Sequence, residues 1–496
     1  MRDLAYLKLL SREYPNIRAA ASDIINLQAI CGLPKGTEYF FSDLHGEHEA
    51  FIYLLRSSSG IIREKIRETF GHIISEEDEV RLANLIYYPE KMINQIKQAN
   101  EYTEDWQKTA VYRLVQICRE VSSKYTRSKV RKKMPKEFSG VIDELLYVDN
   151  TDDNKTEYYS ELINTLIDVR VADSFIVVIC SLIRSLTIDN LHILGDIFDR
   201  GPRPDIILEE LMHFHDVDIQ WGNHDISWMG AATGNRACIC NVLRMALGYN
   251  GFDVLEDGYG INLRPLSMFA ERVYRDDPCT CFLPQILDKN IYDAVDPKLA
   301  AKMHKAIAVL QYKEEGQIIK RHPEYGMEER ILLSAIRYDR GTVTIDGKEY
   351  PMRDMNFPTV DPADPLRLTD EEEELLHTLE LSFRHNARLH EHVRFLYSNG
   401  SMYKCCNSNL LYHGCIPMTE NREFDGLMVG GKMYRGKELM DFIDTQVKNA
   451  YFLPEDAPEK EACRDFMWYL WNGAKSPVFG KDKNRSFEHY FIEDPE

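Results

Sequence analysis

The stretch Leu191–Leu211, LHILGDIFDRGPRPDIILEEL, constrains the fold more than any other in this chain. Its first four residues are apolar enough for a buried strand. Pro204 then opens a helix that the pattern carries to about His213. Between strand and helix lie Gly195-Asp196 and Asp199-Arg200-Gly201. A strand that breaks into a polar loop and returns as a helix presents its functional groups at the strand's carboxyl end, where open α/β sheets bind ligands.

Two other junctions repeat the arrangement. Tyr39–Glu47 (YFFSDLHGE) ends the expected strand Thr37–Ser42 in Asp43 and His45, ahead of an expected helix Glu47–Arg56. Val217–Asp225 (VDIQWGNHD) ends its strand in Asn223 and His224. A lone Asp-x-His is usually a turn or a helix cap, Asp196 alone fits a cap, and Asn223-His224 alone fits a surface turn. Three such junctions together point to oxygen and imidazole ligands gathered from separate strand ends, which is what a two-metal site needs. Further on, expected strands Ser401–Cys406 and Asn409–Tyr412 flank a turn, and the second delivers His413-Gly414.

The residue types assign the chemistry. Asp43 and His45 are expected on one divalent cation, Asn223 and His413 on a second about 3.5–4 Å away, with Asp196 bridging. A water shared by two cations ionises near neutral pH and attacks a phosphoryl group in line. His224, beside a ligand, can protonate the leaving oxygen; Asp199 can accept its other ring N–H and fix the tautomer. Arg200 can fork onto two phosphoryl oxygens. Mixed oxygen and nitrogen ligation without thiolates suits Mn²⁺, Mg²⁺, Fe or Zn.

The remaining chain organises around these junctions. We expect an N-terminal helical segment at 1–36 and a discontinuous core of 37–57, 188–250 and 395–496. A helical insertion fills 58–187, and a second, mostly helical one fills 251–394. The latter contains a helix Pro297–Gln311, a hairpin turning on Asp346-Gly347, and a helix capped by Thr369. The basic run Lys124–Lys136 reads as a solvated helix face. Arg203, Arg236 and Arg244 are basic groups near the third junction; each fits a surface or helix position and none is assigned to the site. His385, His390 and His392 read as structural or exposed.

A formal charge of −20 disfavours nonspecific binding to nucleic acid or an anionic membrane. An anionic substrate must then be received by local cations. No stretch reads as a signal peptide, the longest apolar run (Phe175–Leu186) is too short to span a bilayer, and 11 cysteines without a CxxC pair suit a reducing compartment. The expected location is the cytoplasm. Composition is compatible with a homo-oligomer but does not require one.

Asp43-Leu-His45-Gly, Gly195-Asp196-x-x-Asp199-Arg200-Gly201, Gly222-Asn223-His224-Asp225 and His413-Gly414 resemble the calcineurin-like metallophosphatase signature. These motifs alone also fit phosphoprotein phosphatases and dinucleoside tetraphosphate hydrolases. SDLHGEHEAF, GDIFDRGPRPDIILEELM, QWGNHDISWMGAA and SPVFGKDK extend the resemblance across the chain to the class III fructose-1,6-bisphosphatases. The resemblance implies a β-sandwich flanked by helices and a Mn²⁺-dependent gluconeogenic enzyme. It also implies a sugar bisphosphate substrate, cleaved to fructose 6-phosphate and phosphate. That pattern closes with a further Gly-His strand end, whereas the only later histidine here is His489. A shortened chain, or an inactive scaffold that has lost its last ligand, is the expectation this departure raises.

Overall fold

The computed structural model describes residues 2–147, 153–285, 296–481 and 485–492. The end of the SPVFGKDK stretch and the closing EDPE lie outside the described residues. The fold is mixed α/β and divides into two compact units, one of 1–39 and 53–191, the other of 40–52 and 192–496.

The first unit is helical apart from its strand ends. Helix Ala172–Thr187 lies at its centre and packs against Glu104–Ser122. Phe175, Ile176, Ile179, Ile183 and Leu186 recur at helical spacing and are fully buried, facing Val111, Leu114, Val115 and Cys118 within one core. Arg184 interrupts this apolar run because it leaves the core to donate to the carbonyls of Ile86 and Tyr87 at 2.8 and 3.1 Å. The basic run is more than a solvated face. Lys129 Nζ lies 2.7 Å from buried Asp189, with the Lys124 and Lys133 ammoniums each at 3.8 Å. Against the penalty of burial, that cluster holds the Asp189 carboxyl below its ordinary range.

The second unit carries the candidate site. Strands β1 (Glu38–Phe41), β2 (Asn190–Ile193), β3 (Val217–Gln220) and β4 (Gly400–Ser401) form one sheet in that order, and the unit boundary passes through β1 and β2. β3 and β4 run parallel, pairing Ile219 with Gly400 and Gln220 with Ser401. The expected strand Ser401–Cys406 is split: its first residue belongs to β4, while Lys404–Cys406 pairs with Asn409–Leu411 as a separate hairpin. Ser401 Oγ donates to the Tyr403 carbonyl at 2.8 Å, which marks the bend.

Helix Asn223–Ala232 leaves β3 and packs on helices Arg236–Gly248 and Lys460–Asn472. The helix from Pro297 continues to Arg321, ten residues beyond the expected end. The charged residues of that extension, Lys313, Glu314 and Glu315, are buried, as is Lys305 before it. Lys313 Nζ meets Glu372 at 2.7 Å, and that same carboxylate accepts the Thr369 N–H at 2.8 Å in the capping box. The hairpin turns on Asp346-Gly347 as expected, between Thr342–Ile345 and Lys348–Pro351. Among the described residues no helix is long and apolar enough to cross a membrane.

Candidate metal centre

The three junctions meet at the ends of β1, β2 and β3. Asp43 N–H donates to the Gly195 carbonyl at 3.1 Å and His45 N–H to the Asp196 carbonyl at 2.8 Å, so the first loop is pinned along the second. The loop after β2 is pinned in turn by Asp225, a residue that the pattern contains but that residue type alone did not single out. One Asp225 oxygen accepts the N–H groups of Asp196 and Gly222 at 2.9 and 3.0 Å. The other accepts those of Ile197 and Phe198 at 2.9 and 3.3 Å. Burial and the neighbouring Asp196 charge push the Asp225 carboxyl up to about 6, opposed by these donors.

Asp43, His45 and Asp196 have φ values of 54°, 48° and 54°, in the left-handed region that non-glycine residues seldom occupy. Backbone strain of this kind persists where the surroundings over-determine it, and it concentrates at functional sites. Gly222 permits the closest approach. A Cβ there would run into the Asp196 carboxylate and main chain, and His224 N–H donates to the same carboxylate at 3.1 Å.

Ligand atoms of Asp43, Asp196 and His413 all lie within 4.8 Å of one another. His413 Nε2 is 3.4 Å from Asp196 Oδ2, while its Nδ1 lies 2.6 Å from the Leu194 carbonyl. That contact orients the ring as a second partner orients a metal-binding histidine. His45 Nε2 is 3.6 Å from Asp43 Oδ1 and 3.7 Å from Asp196 Oδ2, too far for hydrogen bonds. It is buried without a hydrogen-bond partner, as is Asp199 Oδ1. Orphaned buried donors and acceptors facing a cluster of carboxylates and imidazoles fit a divalent cation better than a self-contained hydrogen-bond network.

The electrostatics agree. Burial would depress His413, but the Asp196 carboxylate outweighs it and lifts the imidazole to about 9. The Asp196 carboxylate also raises His45, whereas burial lowers His224. Asp196, despite burial, is held far below the carboxylate range by His413 and His45. In this arrangement protons on His413 and His45 compete with a cation for one site.

The remaining expected residues surround this cluster. Asp199 stands between two imidazoles, with Oδ2 3.6 Å from His45 Nδ1 and Oδ1 3.5 Å from His224 Nε2. Arg200 Nε donates back to Asp199 at 3.1 Å, and its guanidinium lies over the Tyr249 ring. Asn223 is buried at the first turn of its helix, between Gly222 and His224, both of which touch Asp196. Trp471 packs steeply on the His224 ring, with centroids 4.9 Å apart.

Three basic and three imidazole groups stand apart. Arg203 pairs with Asp205, and Arg236 with Glu373 and Glu380. Arg244 is buried and bonds Gln311, Asn241 and Tyr490. His385 is exposed, His390 bonds Tyr451, and buried His392 bonds Tyr259. All 11 cysteines are free thiols.

The family described as Firmicute fructose-1,6-bisphosphatase matches residues 5–496. The chain is 52% identical over 492 residues to a class 3 fructose-1,6-bisphosphatase of Clostridium tetani, covering 99% of this chain and 74% of that protein. It is 51% identical over 493 residues to one from Bacteroides fragilis, covering 99% and 74%. It is also 51% identical over 496 residues to one from Alkaliphilus metalliredigens, covering 100% and 75%. No solved structure matches.

Proposed function

The chain belongs to the Firmicute, or class 3, fructose-1,6-bisphosphatase family, and from that we propose that it hydrolyses fructose 1,6-bisphosphate to fructose 6-phosphate and phosphate. The observation that carries this reading is the convergence of Asp43, Asp196 and His413 at the strand ends, beside the unpartnered buried Nε2 of His45. Asp43 and His45 would hold one divalent cation, Asn223 and His413 another, with Asp196 between them. Bound divalent cations lower the pKa of water and offset phosphoryl charge, so no covalent enzyme intermediate is required. Mn²⁺ is the cation we expect, on the family resemblance; the donor set itself also suits Mg²⁺, Fe and Zn.

The chain's own residues supply the rest. Arg200 receives phosphoryl oxygens from its half-exposed position beside Asp199. His224 turns Nε2 toward Asp199, which leaves Nδ1 as the atom that gives a proton to the departing sugar oxygen. Burial lowers the His224 pKa in the free chain, against the charges of Asp199 and Asp196, and an incoming phosphoryl charge favours its protonated form. Asp199 holds the ring in place.

The wider picture follows the same reading. The β1–β4 sheet is one layer of a calcineurin-like sandwich, discontinuous over 37–57, 188–250 and 395–496, with helical insertions at 58–187 and 251–394. The setting is cytoplasmic gluconeogenesis. The test is phosphate release from fructose 1,6-bisphosphate with added Mn²⁺, beside a phosphopeptide and a dinucleoside tetraphosphate. Release from the sugar alone is expected. Release from either rival but not from the sugar would reject the bisphosphate reading.

A further inference from the structure

Beyond Trp471 lies a cavity of about 270 Å³ whose walls include Arg244, Glu315, Trp471, Phe479, Lys481 and Arg485. The Lys481 ammonium sits over two aromatic faces, 3.9 Å from the Trp471 centroid and 4.4 Å from that of Phe479. Among the described residues Glu315 is the acid whose charge reaches it, across the cavity. The Lys481 backbone is fixed on both sides: its N–H donates to the Gly473 carbonyl at 3.2 Å, and the Arg330 guanidinium donates to its carbonyl and to that of Asn472. The side chain is therefore held at this wall by a braced loop.

Arg244 supplies a second positive charge. It is buried, and among the described residues its guanidinium bonds neutral groups: Gln311 at 2.8 Å, Asn241 at 3.1 Å, Tyr490 at 3.3 Å and the Met245 sulfur at 3.5 Å. Glu315 is the acid on the wall. Burial pushes its carboxyl upward, and its Oε1 already accepts from Gln311 and Trp468 at 2.7 and 3.2 Å. Burial, with Arg244 nearby, pushes the Lys481 ammonium down to about 7. Two basic groups against the single acid Glu315 leave positive charge uncompensated on a buried wall, which is costly, so the cavity marks a place where an anion is received. One indole separates this place from the proposed proton donor, since Trp471 contacts both His224 and Lys481. A second phosphate on the same small substrate meets that requirement.

We propose that this cavity binds the phosphate of the sugar bisphosphate that is not cleaved, with Lys481 as its donor and Arg244 as a fixed charge behind it. The inference rests on the bisphosphatase reading and adds the residues that make the substrate a bisphosphate. Arg485, exposed at the wall, is placed to meet the incoming anion.

The test compares kcat/KM for fructose 1,6-bisphosphate with that for p-nitrophenyl phosphate, which has no second phosphate, in the full chain and in Lys481→Met. Calorimetry of fructose 6-phosphate binding to the chelator-stripped chain gives a readout without turnover. Lys481→Met should lower the ratio of the two kcat/KM values by about tenfold or more, the size of one charge-assisted hydrogen bond. It should weaken fructose 6-phosphate binding by a similar factor, and Lys481→Arg should restore part of each. A ratio and an affinity that survive Lys481→Met overturn the subsite. So does a parallel fall on both substrates, which would put Lys481 at the reacting centre or in the fold. A wild-type chain that cleaves p-nitrophenyl phosphate without preferring the sugar would instead reject the bisphosphatase reading, and the subsite with it.

Discussion

The Asp225 carboxylate accepts the main-chain N–H of Asp196 at 2.9 Å while Asp196 presents its own carboxylate to His413. The two acids are stacked by function, one shaping the loop and the other filling it. Each Asp225 oxygen serves two N–H donors. In Asp225→Asn, whichever oxygen becomes an amide leaves two donors unsatisfied, at about 1–3 kcal/mol each. Thermal unfolding should shift down by several degrees, and Mn²⁺ affinity measured by calorimetry should fall in step. An unchanged midpoint with intact metal binding would remove Asp225 from this role.

His224 and Asp196 should separate proton transfer from ligation. His224→Ala is expected to reduce kcat by about 10²–10⁴-fold while leaving bound metal near the wild-type level. Asp196→Ala should lose both, because its carboxylate stands between His45 and His413. Elemental analysis of the purified variants, beside their turnover, reads the difference. Full turnover in His224→Ala would assign the leaving-group proton to another donor.

Gly222→Ala tests the closeness of the β3 turn. The added methyl would enter the Asp196 carboxylate and main chain, neither of which is the free end of a flexible side chain. A fall in Mn²⁺ affinity of at least tenfold is expected, for a change of one carbon. Calorimetric titration checks it, and wild-type affinity would mean that the loop has room to yield.

His304 gives the fold a pH edge. Burial, reinforced by Arg244, depresses its imidazole to about 3, and the ring sits neutral between the Phe282 carbonyl at 3.0 Å and the Tyr490 hydroxyl at 3.1 Å. The unfolded chain binds a proton below about 6.5 that the folded chain refuses. The stability this confers is present above that pH and is lost as pH falls toward 3, by at most about 1.4 kcal/mol per pH unit. Unfolding midpoints between pH 7 and 5 should fall more steeply in the wild type than in His304→Gln. Equal slopes would show that His304 does not control this edge.

Much of the candidate site was legible because the residues that converge there follow strands in short, recognisable loops. Asp43, His45, Asp196 and His413 could be picked by residue type and position. Asp225 could not, because a buried acid that accepts backbone donors looks the same in sequence as a surface acid. The cue was present in its spacing from Gly222, three residues on. Lys481 drew no reading of its own, since an ammonium resting on aromatic faces leaves no periodic signature. The helix from Pro297 was read too short for a related reason. Lys313, Glu314 and Glu315 break its apolar rhythm, and their burial depends on partners such as Glu372 and Trp468 that are distant in sequence. The split at Ser401 was invisible because a two-residue strand offers no alternation to count.

The left-handed turns at Asp43, His45 and Asp196 reach beyond local geometry. Aspartate and histidine are among the few residues enriched in that conformation, and they are also ligands that hard and borderline divalent cations accept. One short alphabet thus satisfies two demands, and a swap to glutamate or cysteine would answer one while failing the other. The turns are written in the backbone and held by neighbouring main-chain bonds, so the ligand frame does not wait for an ion to shape it. A stripped chain should therefore take up a different divalent cation quickly and without refolding, as a socket accepts another plug.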